Sequence, residues 1–256
     1  MNNNKRKKPF VRPSGAALKT LAALASAVLL SSCAAKITGG LGASGSGDFI
    51  VTAGLQPKVS ALIRSFKALA GETDPRAPVI DGAAIAQSMS SAPGVASVSF
   101  RNSAPAAIEG PVRISRISDF LAPAEDGQAR GFIRFEQAPE GGRCTITLSR
   151  ESGPGILSLV SPDISAYLEA LMAPLATGEE LDRAGYLELV SSLYGPGLAE
   201  EISQARITAA IEFPGPVQSI RGGKFSGSKA EFDIALLDLL VLETPLDYEV
   251  VWRPAR

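Results

Sequence analysis

The stretch "ARITAAIEFPGP", residues 205–216, carries the clearest strand pattern in the chain and decides our interpretation of the fold. Its apolar residues recur at every second position, which is the spacing of side chains on one face of a β-strand. These residues are Ile207, Ala209, Ile211 and Phe213. The Pro-Gly-Pro sequence that follows ends the strand, because proline cannot donate a hydrogen bond to a neighbouring strand.

Two later segments, near residues 229–234 and 246–252, repeat this alternation with charged residues in between. The apolar positions are Ala230, Phe232, Ile234, Leu246, Tyr248, Val250 and Trp252. Burial of one face only is typical of an antiparallel sheet that has helices packed on its inner face. The sequence therefore predicts an α+β fold with largely antiparallel sheets.

Closer to the N-terminus, strand and helix signals alternate. A strand, "DFIVTAG" at 48–54, precedes a helix that is expected to open at Pro57 and to end near Gly71. Asp81 is a predicted cap for a second, shorter helix, and "PGVASVSF" at 93–100 returns as a strand. Three more strands are expected at 107–119, 129–137 and 142–150.

The region just before the quoted stretch has helical periodicity. Thr177 and Glu180 have the spacing of a capping box that opens a helix. The predicted inner stripe of this helix comprises Leu181, Ala184, Leu187, Val190 and Leu193. A further helix is expected at about 197–205, with Leu198 and Ile202 facing inward.

The first 32 residues have the layout of a signal peptide. A basic segment without any acidic residue precedes an apolar run from Thr20 to Ser32. As a helix this run would extend about 20 Å, which is short of the roughly 30 Å hydrocarbon core of a bilayer. Extension of the run back to Gly15 would bury Lys19, so a retained membrane span is the less favoured alternative.

The sequence Leu-Ser-Ser-Cys at 30–33 matches the lipobox, and on this motif the chain resembles bacterial lipoproteins. The resemblance implies cleavage between Ser32 and Cys33, with a diacylglyceryl group on the Cys33 thiol. It also implies a further fatty-acyl chain, such as palmitate, on the new amine. Two or more acyl chains give stable membrane anchoring where a single chain is marginal.

Residues 34–47 are rich in Gly, Ser and Ala and directly follow the predicted cleavage site. Gly40, Gly42 and Gly45 spell GxGxxG, but a dinucleotide-binding fingerprint requires a strand before it and a helix after it. We therefore interpret residues 33–47 as the lipidated cysteine and a flexible tether with an r.m.s. span of about 20 Å. The α+β domain is then expected at 48–256, with a sub-boundary near 150–160 as an alternative to a single domain.

Composition excludes several classes of function. Removal of residues 1–32 takes away six basic residues and no acidic one, which leaves 19 basic and 26 acidic residues. This acidic balance argues against nucleic acid as a partner. Histidine is absent, which excludes histidine-based metal sites and catalysis of the Ser-His-Asp or Cys-His type. Cys144 alternates with Ile146 and Leu148, so we predict a buried strand thiol.

Acidic residues offer the main candidates for chemistry. Glu179, Glu180 and Asp182 cluster in the sequence, and paired carboxylates can serve as acid and base. Acids at a helix start also favour the positive end of the helix dipole, and we prefer this structural interpretation. Glu200 and Glu201 are interpreted in the same way. We predict no catalytic residue, no metal ligand and no cofactor.

The stretch "IALLDLLVL", residues 234–242, has Asp238 as its single charge. We favour a short helix or turn that closes the core. The alternative is an outward apolar patch that contacts a partner, an acyl chain or the bilayer. This patch would comprise Leu236, Leu237, Leu239 and Leu240.

The C-terminal quarter, residues 206–252, is similar to the LppM-like domain of bacterial envelope lipoproteins. The resemblance lies in a strand that closes on Pro214-Gly215, a glycine turn at Gly222-Gly223, and the returning strand "AEFDI" at 230–234. It implies an envelope module and carries over no catalytic residue.

These features predict a membrane-anchored envelope lipoprotein with a non-enzymatic binding or scaffolding role. An envelope hydrolase that uses a carboxylate pair is the alternative. The expected partners are the membrane, through the lipid anchor, and an envelope protein or apolar ligand. Ala34 and Ala35 stand where some diderm bacteria use an aspartate to retain lipoproteins at the inner membrane, so the sequence favours the outer membrane in such a host.

Overall fold

A strand rich in glycine and alanine, Cys33–Leu41, lies inside the larger of two β-sheets. The structure is a computed structural model that describes residues 33–72, 74, 76–121, 132–153, 157 and 162–254. The predicted signal peptide, residues 1–32, lies outside these described residues. Residues 33–256 cluster as one compact unit, without a division near residues 150–160.

Twelve strands occur among the described residues. In chain order they are Cys33–Leu41 (β1), Gly47–Gly54 (β2), Val95–Val98 (β3), Arg101–Ala104 (β4), Ala107–Ile114 (β5), Ile133–Ala138 (β6), Gly141–Leu148 (β7), Arg206–Glu212 (β8), Val217–Arg221 (β9), Lys224–Ser226 (β10), Lys229–Ala235 (β11) and Leu246–Trp252 (β12). The predicted strands at 48–54, 93–100 and in the C-terminal quarter are confirmed.

Eight helices occur in the same described part of the chain. They are Pro57–Leu69 (α1), Gly82–Ser90 (α2), Ile117–Phe120 (α3), Pro162–Ala170 (α4), Pro174–Thr177 (α5), Arg183–Tyr194 (α6), Pro196–Gln204 (α7) and Leu236–Val241 (α8). Helix α3 occupies the end of the segment 107–119, where the sequence predicts strand throughout.

The strands form two sheets that are almost entirely antiparallel. The larger sheet has the order β10-β11-β8-β1-β2-β5-β3, and β4 also pairs with β5. Its one parallel pair among the described strands joins β1 to β8. The smaller sheet has the order β6-β7-β12-β9. The predicted α+β class with largely antiparallel sheets is confirmed.

The prediction of a flexible tether at residues 33–47 is wrong, because β1 is paired along both of its edges. Ala35 lies opposite Ala53 of β2 on one side and opposite Ile207 of β8 on the other. The glycines that suggest a linker instead permit close strand contact. A Cβ atom on Gly39 would lie 2.1 Å from the Asp48 carbonyl oxygen. The folded domain therefore begins at Cys33 and not at residue 48.

The helix starts show where local signals succeed and fail. Helix α1 begins at Pro57 as predicted, and the Asp81 carboxylate accepts hydrogen bonds from two backbone N–H groups at the start of α2. The capping box predicted at Thr177 and Glu180 is wrong. Helix α6 is capped by Asp182, whose carboxylate accepts a hydrogen bond from the Gly185 N–H group at 2.7 Å.

The inner stripe of α6 also differs from the prediction. Val190 is fully buried, but Leu193 is 54 % exposed and Ala184 is exposed. Tyr186 takes their place as a fully buried residue, and its hydroxyl donates a hydrogen bond to the Leu171 carbonyl oxygen. The hydrogen bond satisfies the one polar atom of this side chain, which lets a tyrosine occupy a core position.

Two clusters of buried side chains hold the layers together. The helical cluster joins α6, α7 and α8, and its buried members are Leu171, Ala173, Tyr186, Val190, Leu198, Ala199, Ile202, Leu237, Leu240 and Val241. The inter-sheet cluster contains residues from both sheets, and its buried members are Phe213, Val217, Ala230, Val250 and Trp252. The inward positions predicted for Leu198 and Ile202 are therefore confirmed.

Candidate functional site

Cys33, the predicted lipidation site, is the first residue of β1. It lies opposite Arg206, the first residue of β8. The boundary of the compact unit falls between Ser32 and Cys33, at the bond where the lipobox resemblance implies cleavage. Ser32 itself lies outside the described residues.

The larger sheet has a polar face that borders a groove of about 790 Å³ at β1, β8 and β11. Lys36 lies opposite Thr208, and Thr208 lies opposite Asp233. Because side chains alternate between the faces of a strand, the next row on this face lies two residues further along each strand. We call this surface the open polar face, formed by Lys36, Thr38, Thr208, Ala210, Glu231 and Asp233.

The two carboxylates of the open polar face are both paired. Lys229 Nζ lies 2.6 Å from Glu231 Oε1, and Arg206 Nε lies 2.9 Å from Asp233 Oδ1. The hydrogen bond from Lys229 holds the pKa of the Glu231 carboxyl below its usual value. Both carboxylates are thus already paired with a cation of the chain.

Two further lysines line the groove. Lys36 forms no ion pair within the described part of the chain, whereas Lys224 lies opposite Glu231 and its charge also lowers the pKa of that carboxyl. With the hydroxyl of Thr38 nearby in the lining, they provide donors and positive charge at an open surface. Such a surface can bind a polar or anionic group by hydrogen bonds. Because the sequence interpretation assigns residues 33–47 to a tether, Lys36 and Thr38 are not among the predicted site residues. Their alternation with Ile37 is nevertheless a strand signal.

The leucines predicted as an alternative apolar patch face inward, so that alternative is wrong. Leu237 and Leu240 are buried in the helical cluster, and Leu236 packs against it. Leu239 packs against a third cluster, whose buried members are Phe132, Leu148, Leu175 and Leu242. Helix α8 lies between two clusters, which therefore cover its leucines from two sides. The favoured interpretation, a short helix that closes the core, is confirmed.

Two of the acidic residues that we interpret as structural, Asp182 and Glu201, form contacts that stabilise helix starts. Asp182 caps α6, whereas Glu179 and Glu180 are exposed. The Glu201 carboxylate accepts hydrogen bonds from the backbone N–H groups of Lys58 and Val59, at 2.9 and 3.1 Å. It thereby supplies the side-chain acceptor that the start of α1 lacks locally. Sequence spacing could not reveal this contact, because it joins residues more than 140 positions apart.

Cys144 lies in strand β7, as predicted, but it is partly buried and not fully buried; it packs against the inter-sheet cluster. Burial raises the pKa of this thiol to about 11. A thiol with so high a pKa is almost entirely protonated at neutral pH, so Cys144 is a poor nucleophile.

Two further features of the described residues bear on function. These residues include no group of three or more His, Cys, Asp or Glu side chains arranged to hold a metal ion. Among them, no helix combines the length and the apolar character that crossing a bilayer requires.

No protein-family model matches the chain, and no curated protein is similar enough to be a relative. Among solved structures, the chain is similar to the NMR structure of the folded domain of LppM from Mycobacterium tuberculosis. The identity is 11 % and the TM-score is 0.35, with 88 % of this chain and 92 % of that chain covered. A likeness at this TM-score is too distant to transfer a fold or a role.

Proposed function

We propose that this chain is a lipid-anchored lipoprotein of the bacterial cell envelope, acylated on Cys33 after cleavage between Ser32 and Cys33. The observation that carries the proposal is that the folded unit begins at the residue that ends the lipobox. The proposed location is the outer membrane where the host is a diderm, because Ala34 and Ala35 replace the aspartate of inner-membrane retention.

We further propose that the domain binds or scaffolds an envelope partner through the open polar face and not through an apolar patch. The support is the contrast between the buried leucines of α8 and the exposed lysines of the groove. A non-enzymatic role is the simpler one, because Asp182 caps a helix and the partly buried thiol of Cys144 is protonated at neutral pH. The partner is expected to present polar or anionic groups to Lys36 and Lys224.

The anchor is tested by mass analysis of membrane-extracted protein beside a Cys33→Ser variant. We expect an N-terminal peptide that starts at residue 33 and carries a fatty-acyl mass increment. The variant should lose both the increment and the processing. Recovery of wild-type protein that retains residues 1–32 would contradict the proposal.

The binding surface is tested by placing a photo-reactive amino acid at Thr38 in cells of the native host. Glu188, an exposed residue of α6, provides the matched control position. We expect a discrete cross-linked adduct from position 38 that is absent from position 188 and is lost with Lys36→Glu. Equal adducts from both positions, or none from position 38, would contradict binding through the open polar face.

A further inference from the structure

Four strands of the larger sheet start or end beside Cys33. Cys33 lies opposite Arg206, where β8 begins. Ala35 lies opposite Ala53, and the next residue of β2, Gly54, lies opposite Ala107 at the start of β5. We call this edge the anchor end of the sheet. It includes the turn between β4 and β5 and the first residues of β1 and β8. Three helix ends lie beside it, because α1 starts at Pro57, α7 ends at Gln204 and α8 starts at Leu236.

The chain between Cys33 and the paired part of this sheet is very short. Only Ala34 separates it from the first residue pair between β1 and β2. Two extended residues cover about 7 Å, whereas a flexible tether of about 14 residues has an r.m.s. span of about 20 Å. The Cys33 backbone is therefore held close to the anchor end, which restricts how far the domain can turn about its attachment point.

We propose that the acylated Cys33 holds the anchor end of the larger sheet, together with the helix ends beside it, towards the lipid headgroups, so that the domain has a preferred orientation on the membrane. This inference rests on the lipid anchor of the proposed function. Strand β1 then leads away from the bilayer, and its far end at Leu41 lies about 26 Å further out, since eight extended residues of about 3.3 Å separate it from Cys33. The turn between Leu41 and Gly47 faces the aqueous side.

Charges near the anchor end suit a position against headgroups. Glu109 of β5 forms an ion pair with Arg101, and Asp233 of β11 forms one with Arg206. Glu201, just before β8, is hydrogen bonded to the start of α1. The two ion pairs compensate Glu109 and Asp233, which limits the repulsion of these carboxylates from an anionic membrane surface.

The orientation also determines how a partner reaches the open polar face. Lys36 is three residues from Cys33, so it lies about 10 Å along the strand from the anchor. Lys229 lies opposite Glu212, which pairs with Gly40, and is therefore further from the bilayer. The groove therefore extends away from the membrane surface, and a partner can reach it from the side of the domain.

Energy transfer to acceptors on lipid headgroups tests this orientation. The probes are a fluorophore on Ala104→Cys, in the turn at the anchor end, and the same fluorophore on Ser44→Cys, in the turn at the far end. Both positions are exposed. Cys33 is consumed by its thioether, and the partly buried, protonated thiol of Cys144 is not expected to react at neutral pH. Each acylated protein is placed in vesicles after its mass is confirmed.

We expect transfer from position 104 to exceed transfer from position 44 by about twofold or more, because about 26 Å of strand separates the two levels. The matched control carries a Gly/Ser insertion of about 12 residues between Ala34 and Ala35, which restores a tether with an r.m.s. span of about 19 Å. In this control the difference between the two positions should become small.

The outcomes separate the inference from the proposed function. Equal transfer from positions 104 and 44 in acylated protein without the insertion would overturn the preferred orientation and leave the anchor intact. A mass without any acyl increment would overturn the anchor, and the orientation with it. A difference between the positions that persists in the insertion control would show that the short connection is not its cause, and would also overturn the inference.

Discussion

Strands β1 and β8 lie side by side in the larger sheet, yet they are specified in different ways. They pair in parallel from Ala35 opposite Ile207 to Gly40 opposite Glu212. Strand β8 carries isoleucine at two alternating positions, whereas four of the nine residues of β1 are glycine or alanine. The sequence therefore identifies β8 as a strand and β1 as a linker, although both are paired along both edges.

This difference shows that a segment can form a strand because neighbouring strands pair with its backbone, even when its own side chains give little strand signal. Strand β8 leads directly to Phe213, which is buried in the inter-sheet cluster, so its own side chains contribute to its stability. Strand β1 contributes mainly backbone N–H and C=O groups to two neighbouring strands. Its small side chains allow those neighbours to approach. Substitutions should therefore affect the two strands through different mechanisms.

The largest effect is expected from Phe213→Ala at the end of β8. Phe213 is 5 % exposed, and its ring centroid lies 4.8 Å from that of Trp252. Loss of a buried phenylalanine should lower the free energy of unfolding by about 3–5 kcal/mol. Chemical denaturation followed by Trp252 fluorescence measures this change. The matched control is Phe225→Ala, a 45 % exposed phenylalanine of β10, which should change stability by less than about 1 kcal/mol. Equal losses in both variants would contradict the account.

Alkylation of Cys144 probes the same cluster without altering it. In a Cys33→Ser protein Cys144 is the sole cysteine. Since burial raises the pKa of the Cys144 thiol to about 11, native protein at pH 8 should react at least about 100-fold more slowly than unfolded protein, in which cysteine has a pKa of about 8.5. The native rate should rise about tenfold per pH unit while the fold persists, because only the thiolate reacts.

Mass spectrometry of the alkylated protein measures these rates. The Phe213→Ala variant should react faster at pH 8, because its cavity exposes the cluster. A native rate that matches the unfolded rate would contradict burial of this thiol.

A smaller loss is expected when β1 is given an added side chain. A Cβ on Gly39 would lie 2.1 Å from the Asp48 carbonyl oxygen and 2.7 Å from the Phe49 Cα atom, so β2 would have to shift. Gly39→Ala should lower the free energy of unfolding by about 1–3 kcal/mol. The neighbouring Gly40→Ala is the matched control, because its nearest atom is the Glu212 Cβ at 3.2 Å. A Gly40→Ala loss as large as that of Gly39→Ala would argue against the observed packing of β1.

The parts of the fold that could be predicted from sequence are those with local signals. The alternating apolar residues from Ile207 to Ile211 revealed β8, a proline at N1 revealed the start of α1, and Asp81 revealed the cap of α2. The stretch of leucines was correctly favoured as a core helix, because nine residues with one charge are more stable when buried.

The remaining features depend on contacts between distant parts of the chain. Strand β1 pairs with β8, about 170 residues later, and glycine has a low strand propensity, so its local signal is limited to the alternation around Ile37. The groove lysine Lys36 was missed for the same reason. The cap of α1 by Glu201 likewise joins distant positions. Helix α6 is capped by Asp182 and not by the predicted pair Thr177 and Glu180. The helix therefore starts later than predicted, and its buried side includes Tyr186.

Hydrogen exchange of the β1 amides tests most directly whether the domain begins at Cys33. Strands paired on both edges exchange only when the structure opens. We therefore predict that amides of residues 35–40 are protected about as strongly as those of residues 207–211, and more strongly than Ala43 and Ser44 in the exposed turn. Exchange of residues 35–40 at the rate of an unstructured peptide, with residues 207–211 still protected, would show that this segment is a tether and would contradict the account.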